Sequence, residues 1–128
     1  MILLDSSVLI EMFRKKDKST TFFYQLSKGN SYFSISTITH FEIFRGSNMA
    51  QDAFWKNFMK MIEIIPFDIV SSNEATRIYK LLKVKNQMID FADLLIAATA
   101  IAHNLDFATL NIKHFMKIPN LHILQTGL

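Results

Sequence analysis

The chain has 128 residues, half of them hydrophobic, which fits one domain over 1–128 with a real core and excludes a disordered tract. It has no cysteine, so disulfides and thiolate zinc sites are excluded, and its three Gly and two Pro are too few for a many-turned β-sandwich. The net charge of +3 permits a nucleic-acid partner without demanding one. No basic region precedes the N-terminal apolar run, and the apolar stretch 94–102 is too short to span a bilayer. A soluble, cytoplasmic protein is expected.

Ile2, Leu3 and Leu4 form an apolar run of strand length that Asp5 ends. After Ser6 and Ser7, the residues Val8, Leu9 and Met12 recur at helical spacing. In an open α/β sheet, ligands bind just beyond the carboxyl ends of strands, so Asp5 is placed in a crevice. It is equally a good helix N-cap. A polar loop is expected over 14–19 and a second helix over 20–28, with Phe22, Phe23 and Leu26 buried and a left-handed Gly29 ending it. Tyr32, Phe33 and Ile35 predict a second strand beginning at Ser31. Ser36 and Thr37 cap a helix over 38–45 that Gly46 stops. A fourth helix runs from Ala53 to Ile62, and 63–67 reads as a third, short strand. Ser71 to Glu74 open a fifth helix that reaches about Lys85. The strongest helical pattern is 90–104, where Asp90 and Asp93 resemble a capping box with an acidic first turn. A strand over 105–110, a short helical turn over 111–116 and a last strand over 121–124 complete the chain. This alternation predicts a parallel sheet with helices on both faces and right-handed crossovers.

The carboxylates divide in two. Glu11, Asp17, Asp52, Glu63, Asp68, Glu74 and Asp106 fall in loops or on polar helix faces and read as solvated surface. Asp5, Glu42, Asp90 and Asp93 sit among apolar neighbours. The bland alternatives are helix caps for Asp5, Asp90 and Asp93, and for Glu42 an exposed position paired with Arg45. Buried carboxylates need a partner or a metal, and several together repel unless a divalent cation joins them. Magnesium and manganese take oxygen ligands and can generate hydroxide for hydrolysis. His40, His103, His114 and His122 show no metal-ligand spacing and read as structural.

Three segments in order, LLDSSVLIE, ISTITHFEIFRG and IDFADLLIAATAIAHNLDFATLN, with the closing NIKHFMKIPNLHIL, make the chain resemble the PIN-domain nucleases over almost its whole length. The likeness is greatest to the VapC toxins of type II toxin–antitoxin pairs. It implies a PIN-like three-layer α/β/α fold with a central, mostly parallel sheet of about four to five strands. It also implies a magnesium- or manganese-dependent endoribonuclease, a homodimer, and silencing by a cognate VapB-like antitoxin. By the same resemblance, Asp5, Glu42 and Asp93 are the catalytic and metal-binding acids. Ser6 is the supporting hydroxyl, and Thr109 and Asn111 position water or a phosphate oxygen. The chain departs from the pattern in two places. Ser7 stands where the family usually has Asn, and the fourth acidic position holds the neutral Asn111, with His114 where some relatives carry Asp or Glu. Asp90 is then either a cap or a substitute ligand, and one or two metals both fit.

A catalytically weak PIN domain used as an RNA- or protein-binding module is the alternative. A receiver-type phospho-acceptor domain would need an Asp ending its third strand and a Lys after its fifth. The chain offers Pro66, Phe67 and Asp68 at the first place and Gln125, Thr126 and Gly127 at the second.

Overall fold

A computed structural model describes residues 1–30 and 32–125. Ser31, Thr126 and Gly127, which entered the sequence expectations, lie outside the described residues. Five strands, β1 (Ile2–Leu4), β2 (Phe33–Ser36), β3 (Glu63–Ile65), β4 (Asp106–Ala108) and β5 (Ile123–Leu124), form one sheet in the order β3-β2-β1-β4-β5. All four pairings are parallel. Leu3 lies opposite Ser34 on one side and Phe107 on the other, so β1 is the central strand. A receiver-type doubly wound sheet runs 2-1-3-4-5 instead, which removes that reading.

Among the described residues, seven α-helices cover the sheet: α1 (Ser6–Arg14), α2 (Phe22–Ser27), α3 (Thr37–Gly46), α4 (Met49–Met59), α5 (Ile69–Val84), α6 (Phe91–Ala102) and α7 (Ile112–Phe115). The period-2 alternation of β1 sorts the core into two halves. Ile2 and Leu4 pack with Val8, Leu9, Trp55 and Phe58 under α1, α2 and α4. Leu3 packs with Phe107, Ile78, Leu82, Ile96 and Phe115 under α5 to α7. Both faces of a parallel sheet are thus covered, as such sheets require. No helix among the described residues is long and apolar enough to cross a membrane.

The elements were placed correctly from sequence, and their ends moved. The 14–19 loop contains a 3-10 turn, Lys18–Thr20, capped by the Asp17 side chain. Gly29 is not left-handed; no glycine among the described residues has positive φ. Helix α2 instead closes with tight bonds from Lys28 N to Gln25 O and Gly29 N to Leu26 O, and Asn30 Nδ2 donates to Leu26 O at 2.9 Å. Helix α4 starts earlier than Ala53, because Asn48 and Gln51 form a reciprocal capping box. Helix α5 starts before Ser71, because Asp68 is its N-cap and accepts from Ser71 N at 2.9 Å. Glu11 is no solvated surface group: it accepts from Phe22 N at 2.7 Å and ties α1 to the start of α2.

Candidate active site

In this strand order the chain winds outward from β1 through β2 to β3, and from β4 to β5 on the other side. The crevice of such a sheet opens at the carboxyl ends of the two strands where the winding reverses, here β1 and β4. Asp5 follows β1 directly and Thr109 follows β4 directly. The two meet there. Asp5 is 3% exposed. Its Oδ1 accepts from Ser7 N at 3.0 Å, Ser7 Oγ at 2.5 Å and Val8 N at 3.4 Å, and its Oδ2 accepts from Thr109 Oγ1 at 2.6 Å. Thr109 Oγ1 in turn accepts from Asn111 N at 2.9 Å, and Ser7 Oγ accepts from Leu110 N at 3.0 Å. The β1–α1 and β4–α7 turns are therefore laced together around one carboxylate.

Asp5 is both an N-cap of α1 and a buried acid, so the two readings of this residue coincide. Burial raises its pKa above the ordinary carboxylate value, against the opposing pull of the Ser7, Thr109 and Val8 bonds. Ser6 was expected to support Asp5, yet Ser7 carries those bonds. As N-cap, Asp5 turns its side chain toward the amides two and three residues on, which brings in Ser7. The Ser6 hydroxyl acts on Glu42 instead, where it favours the charged form.

Glu42 lies on α3, half-buried, and its Oε1 is buried without a hydrogen-bond partner. Burial raises its pKa first, and the negative charges of Asp93 and Asp5 add to that; Ser6 and Arg45 pull the other way. The expected ion pair with Arg45 is not formed among the described residues, and the Arg45 guanidinium lies over the Phe41 ring at 5.5 Å. Asp93, in the first turn of α6, is half-buried and likewise raised by burial, with His114 lowering and Asp90 raising its value. His114 Nδ1 stands 3.3 Å from Asp93 Oδ2.

Asp90 precedes α6 at the N-cap position but makes no side-chain cap hydrogen bond, so the expected capping box is absent. Only its carbonyl serves the helix, accepting from Leu94 N at 2.9 Å. Its side chain lines a cleft of about 250 Å³ together with Asp93, Lys113, His114 and Lys117. Asn111 is exposed at the start of α7, with no side-chain cap bond. Three of the four histidines pair with aspartates. His114 touches Asp93, His103 lies 3.1 Å from Asp68, and His122 lies 2.5 Å from Asp106. The sequence set His114 near the fourth acidic position by resemblance but did not reveal its contact with Asp93, since 21 residues separate the two and only the fold joins them.

Glu42 lies near enough to Asp93 and Asp5 to feel both of their charges, while Glu42 and Asp93 line separate pockets. Among the described residues, no three acidic or histidine side chains are already gathered around a single point as a metal-binding group. The donor set still fits a hard divalent cation. All its atoms are oxygens, one of them is buried and unpartnered, and all three carboxyls are held above their usual range by burial.

The PIN domain model matches residues 2–120. Ribonuclease VapC1 of Methanocaldococcus jannaschii is 36% identical over 118 residues, which are 91% of this chain and 80% of that protein. Among solved structures, VapBC2 of Rickettsia felis, bound to a DNA fragment from its promoter, superposes with a TM-score of 0.85 at 30% identity, over 97% of this chain and 98% of the other. A DNA-bound VapBC of Salmonella typhimurium has the same fold, with a TM-score of 0.86 at 23% identity over 96% of each chain. The fold is that of an α/β domain with a buried acid, Asp5, at its switch point, and the chain belongs to the PIN-domain family, in its VapC branch.

Proposed function

We propose that this protein is the toxin ribonuclease of a VapBC-like pair, hydrolysing RNA phosphodiester bonds with a magnesium or manganese ion in the crevice. The observation that carries this reading is Asp5: a nearly unexposed carboxylate, fixed from both turns of the switch point, whose charge reaches a Glu42 with a buried, unpartnered oxygen. Buried carboxylates that repel one another are unfavourable alone and become favourable around a cation. Asp5 and Asp93 would hold the metal, and Glu42 would bind it or orient the attacking water. A bound divalent cation lowers the pKa of water and polarises the phosphoryl oxygen. The chain's own contribution is to keep Asp5 in one orientation through Ser7 and Thr109. Thr109 is committed to Asp5 and leaves the exposed Asn111 amide to meet a phosphate oxygen.

The partners follow from the relatives and from two apolar surfaces. A groove of about 290 Å³ between α1, α2 and α4, walled by Met12, Phe23, Tyr24, Phe54, Phe58 and Met61, offers a VapB-like antitoxin a seat. A second apolar groove, where Phe67, Tyr79, Phe91 and Leu95 lie between α5 and α6, suits a homodimer. A cytoplasmic location fits a chain without cysteine whose substrate is RNA.

A second reading, an RNA- or protein-binding module without turnover, draws on Asn111 at the fourth acidic position and on the absence of a preformed metal group among the described residues. One experiment separates the two. Expression of the wild type should arrest growth, and the purified protein should cut RNA when manganese is added. Asp5→Asn should do neither while keeping its circular dichroism spectrum. A wild type that is harmless and leaves RNA intact with manganese overturns the nuclease reading in favour of the binding module.

A further inference from the structure

The cleft beside Asp93 holds charges that the proposed chemistry does not use. It lies between the 86–90 turn and α7, has a volume of about 250 Å³, and is lined by Asp90, Asp93, Lys113, His114 and Lys117, with Ile89 on its wall. Lys113 and Lys117 are one helical turn apart and exposed, and neither has an ion-pair partner among the described residues. Two lysines thus face two carboxylates, and the empty cleft has no excess of either sign. A divalent cation on Asp93 would change that balance, leaving the cleft with a surplus positive charge shared by the metal and the lysines.

We propose that this cleft is a phosphate subsite for single-stranded RNA, holding the phosphodiester next to the one at Asp93 through Lys113 and Lys117, and that it becomes attractive to phosphate only once a divalent cation is bound. The proposal rests on the nuclease reading above and deepens it by naming which end of the crevice the strand occupies. The repulsion of Asp90 and Asp93 toward a phosphate keeps RNA out of the metal-free site. The same two carboxylates, once neutralised, leave the lysines free to act. Lysine is suited to this role because its compact charge attracts any phosphate without reading sequence.

The test is fluorescence anisotropy of a short 2′-O-methyl RNA oligonucleotide over a series of KCl concentrations, once with calcium and once with EDTA. With calcium, Lys113→Gln and Lys117→Gln should each lower the slope of log Kd against log salt by about 0.7, the value of one phosphate contact on a single strand. Lys56→Gln, exposed on α4 and outside the cleft, should leave the slope unchanged. With EDTA the cleft variants should match the wild type. Equal slopes for wild type and cleft variants in calcium overturn the subsite, and so does an equal loss in Lys56→Gln, which would mark diffuse attraction. A lysine contribution that persists in EDTA overturns the coupling to the cation. Cleavage of unmodified RNA by the wild type with manganese, measured alongside, keeps the two levels apart. Cleavage with unmoved slopes sinks the subsite alone, whereas neither cleavage nor binding sinks the nuclease reading together with it.

Discussion

Asp5 is fixed in place at a cost to the stability of the protein. Its carboxyl titrates higher in the folded chain than its ordinary value, because burial outweighs four hydrogen bonds. An acid shifted upward contributes stability that is complete below its unfolded pKa and is lost as pH rises through the folded one. Glu42 and Asp93 are shifted in the same direction. In EDTA at neutral pH, Asp5→Asn should therefore melt above the wild type, by on the order of 1 kcal/mol or several degrees at this chain length. The gain should shrink as pH falls through the raised folded value and be gone below the usual carboxylate value, which thermal melts across a pH series would show. Thr109→Val has the opposite sign. It keeps the volume but removes the 2.6 Å donor to the buried Asp5 carboxylate and the acceptor for the part-buried Asn111 N, leaving a buried oxygen unsatisfied. It should lower stability by about 1–3 kcal/mol in urea unfolding.

At the scale of the element, helix ends decide where the side chains of the site project. Helix α1 begins at Asp5 and ends under Lys18, whose Nζ donates to the carbonyls of Met12 at 2.6 Å, Phe13 at 2.9 Å and Lys15 at 2.7 Å. A cation on the last carbonyls of a helix satisfies groups that have no helical partner and complements the dipole. Lys18→Met keeps the stem and removes these bonds. A loss of about 1 kcal/mol is expected, read as a lower urea midpoint with the slope of the transition unchanged. What could be read from sequence at this scale was periodicity. Val8, Leu9 and Met12, or Leu94, Ala97 and Ala98, announce their helices because burial repeats along the chain. What could not be read was which of several polar residues caps. Asn48 with Gln51, and Asp68 ahead of Ser71, each win by a local bond that competing Ser and Asn residues nearby could equally have made. Gly29 misled for a related reason: Asn30 reaches back to Leu26 O and makes a left-handed residue unnecessary.

At the scale of the molecule, the site exists only because the sheet order brings distant segments to one edge. Asp5 and Thr109 touch across 104 residues, and His114 reaches Asp93 across 21. The acids themselves were legible, since a carboxylate set among apolar neighbours is conspicuous, and so was the alternation that makes the sheet parallel. The choice of Ser7 over Ser6, the missing Asp90 side-chain cap bond and the His114 contact were not. Each depends on a side-chain direction fixed by tertiary packing and not by spacing. The same convergence sets how the whole chain should respond to a cation. In the proposed metal site, protons and metal would compete for the oxygens of Asp5, Glu42 and Asp93, each of which burial shifts toward the protonated form. Manganese affinity measured by calorimetry should accordingly fall as pH drops, beginning above the ordinary carboxylate range. At a hundredfold excess over Kd, manganese should raise the stability of the wild type by about 2.7 kcal/mol. Asp93→Asn should lose both the calorimetric signal and the melting shift. An Asp93→Asn protein that keeps the wild-type signal removes Asp93 from the ligand set and leaves Asp5 and Glu42 to hold the ion without it.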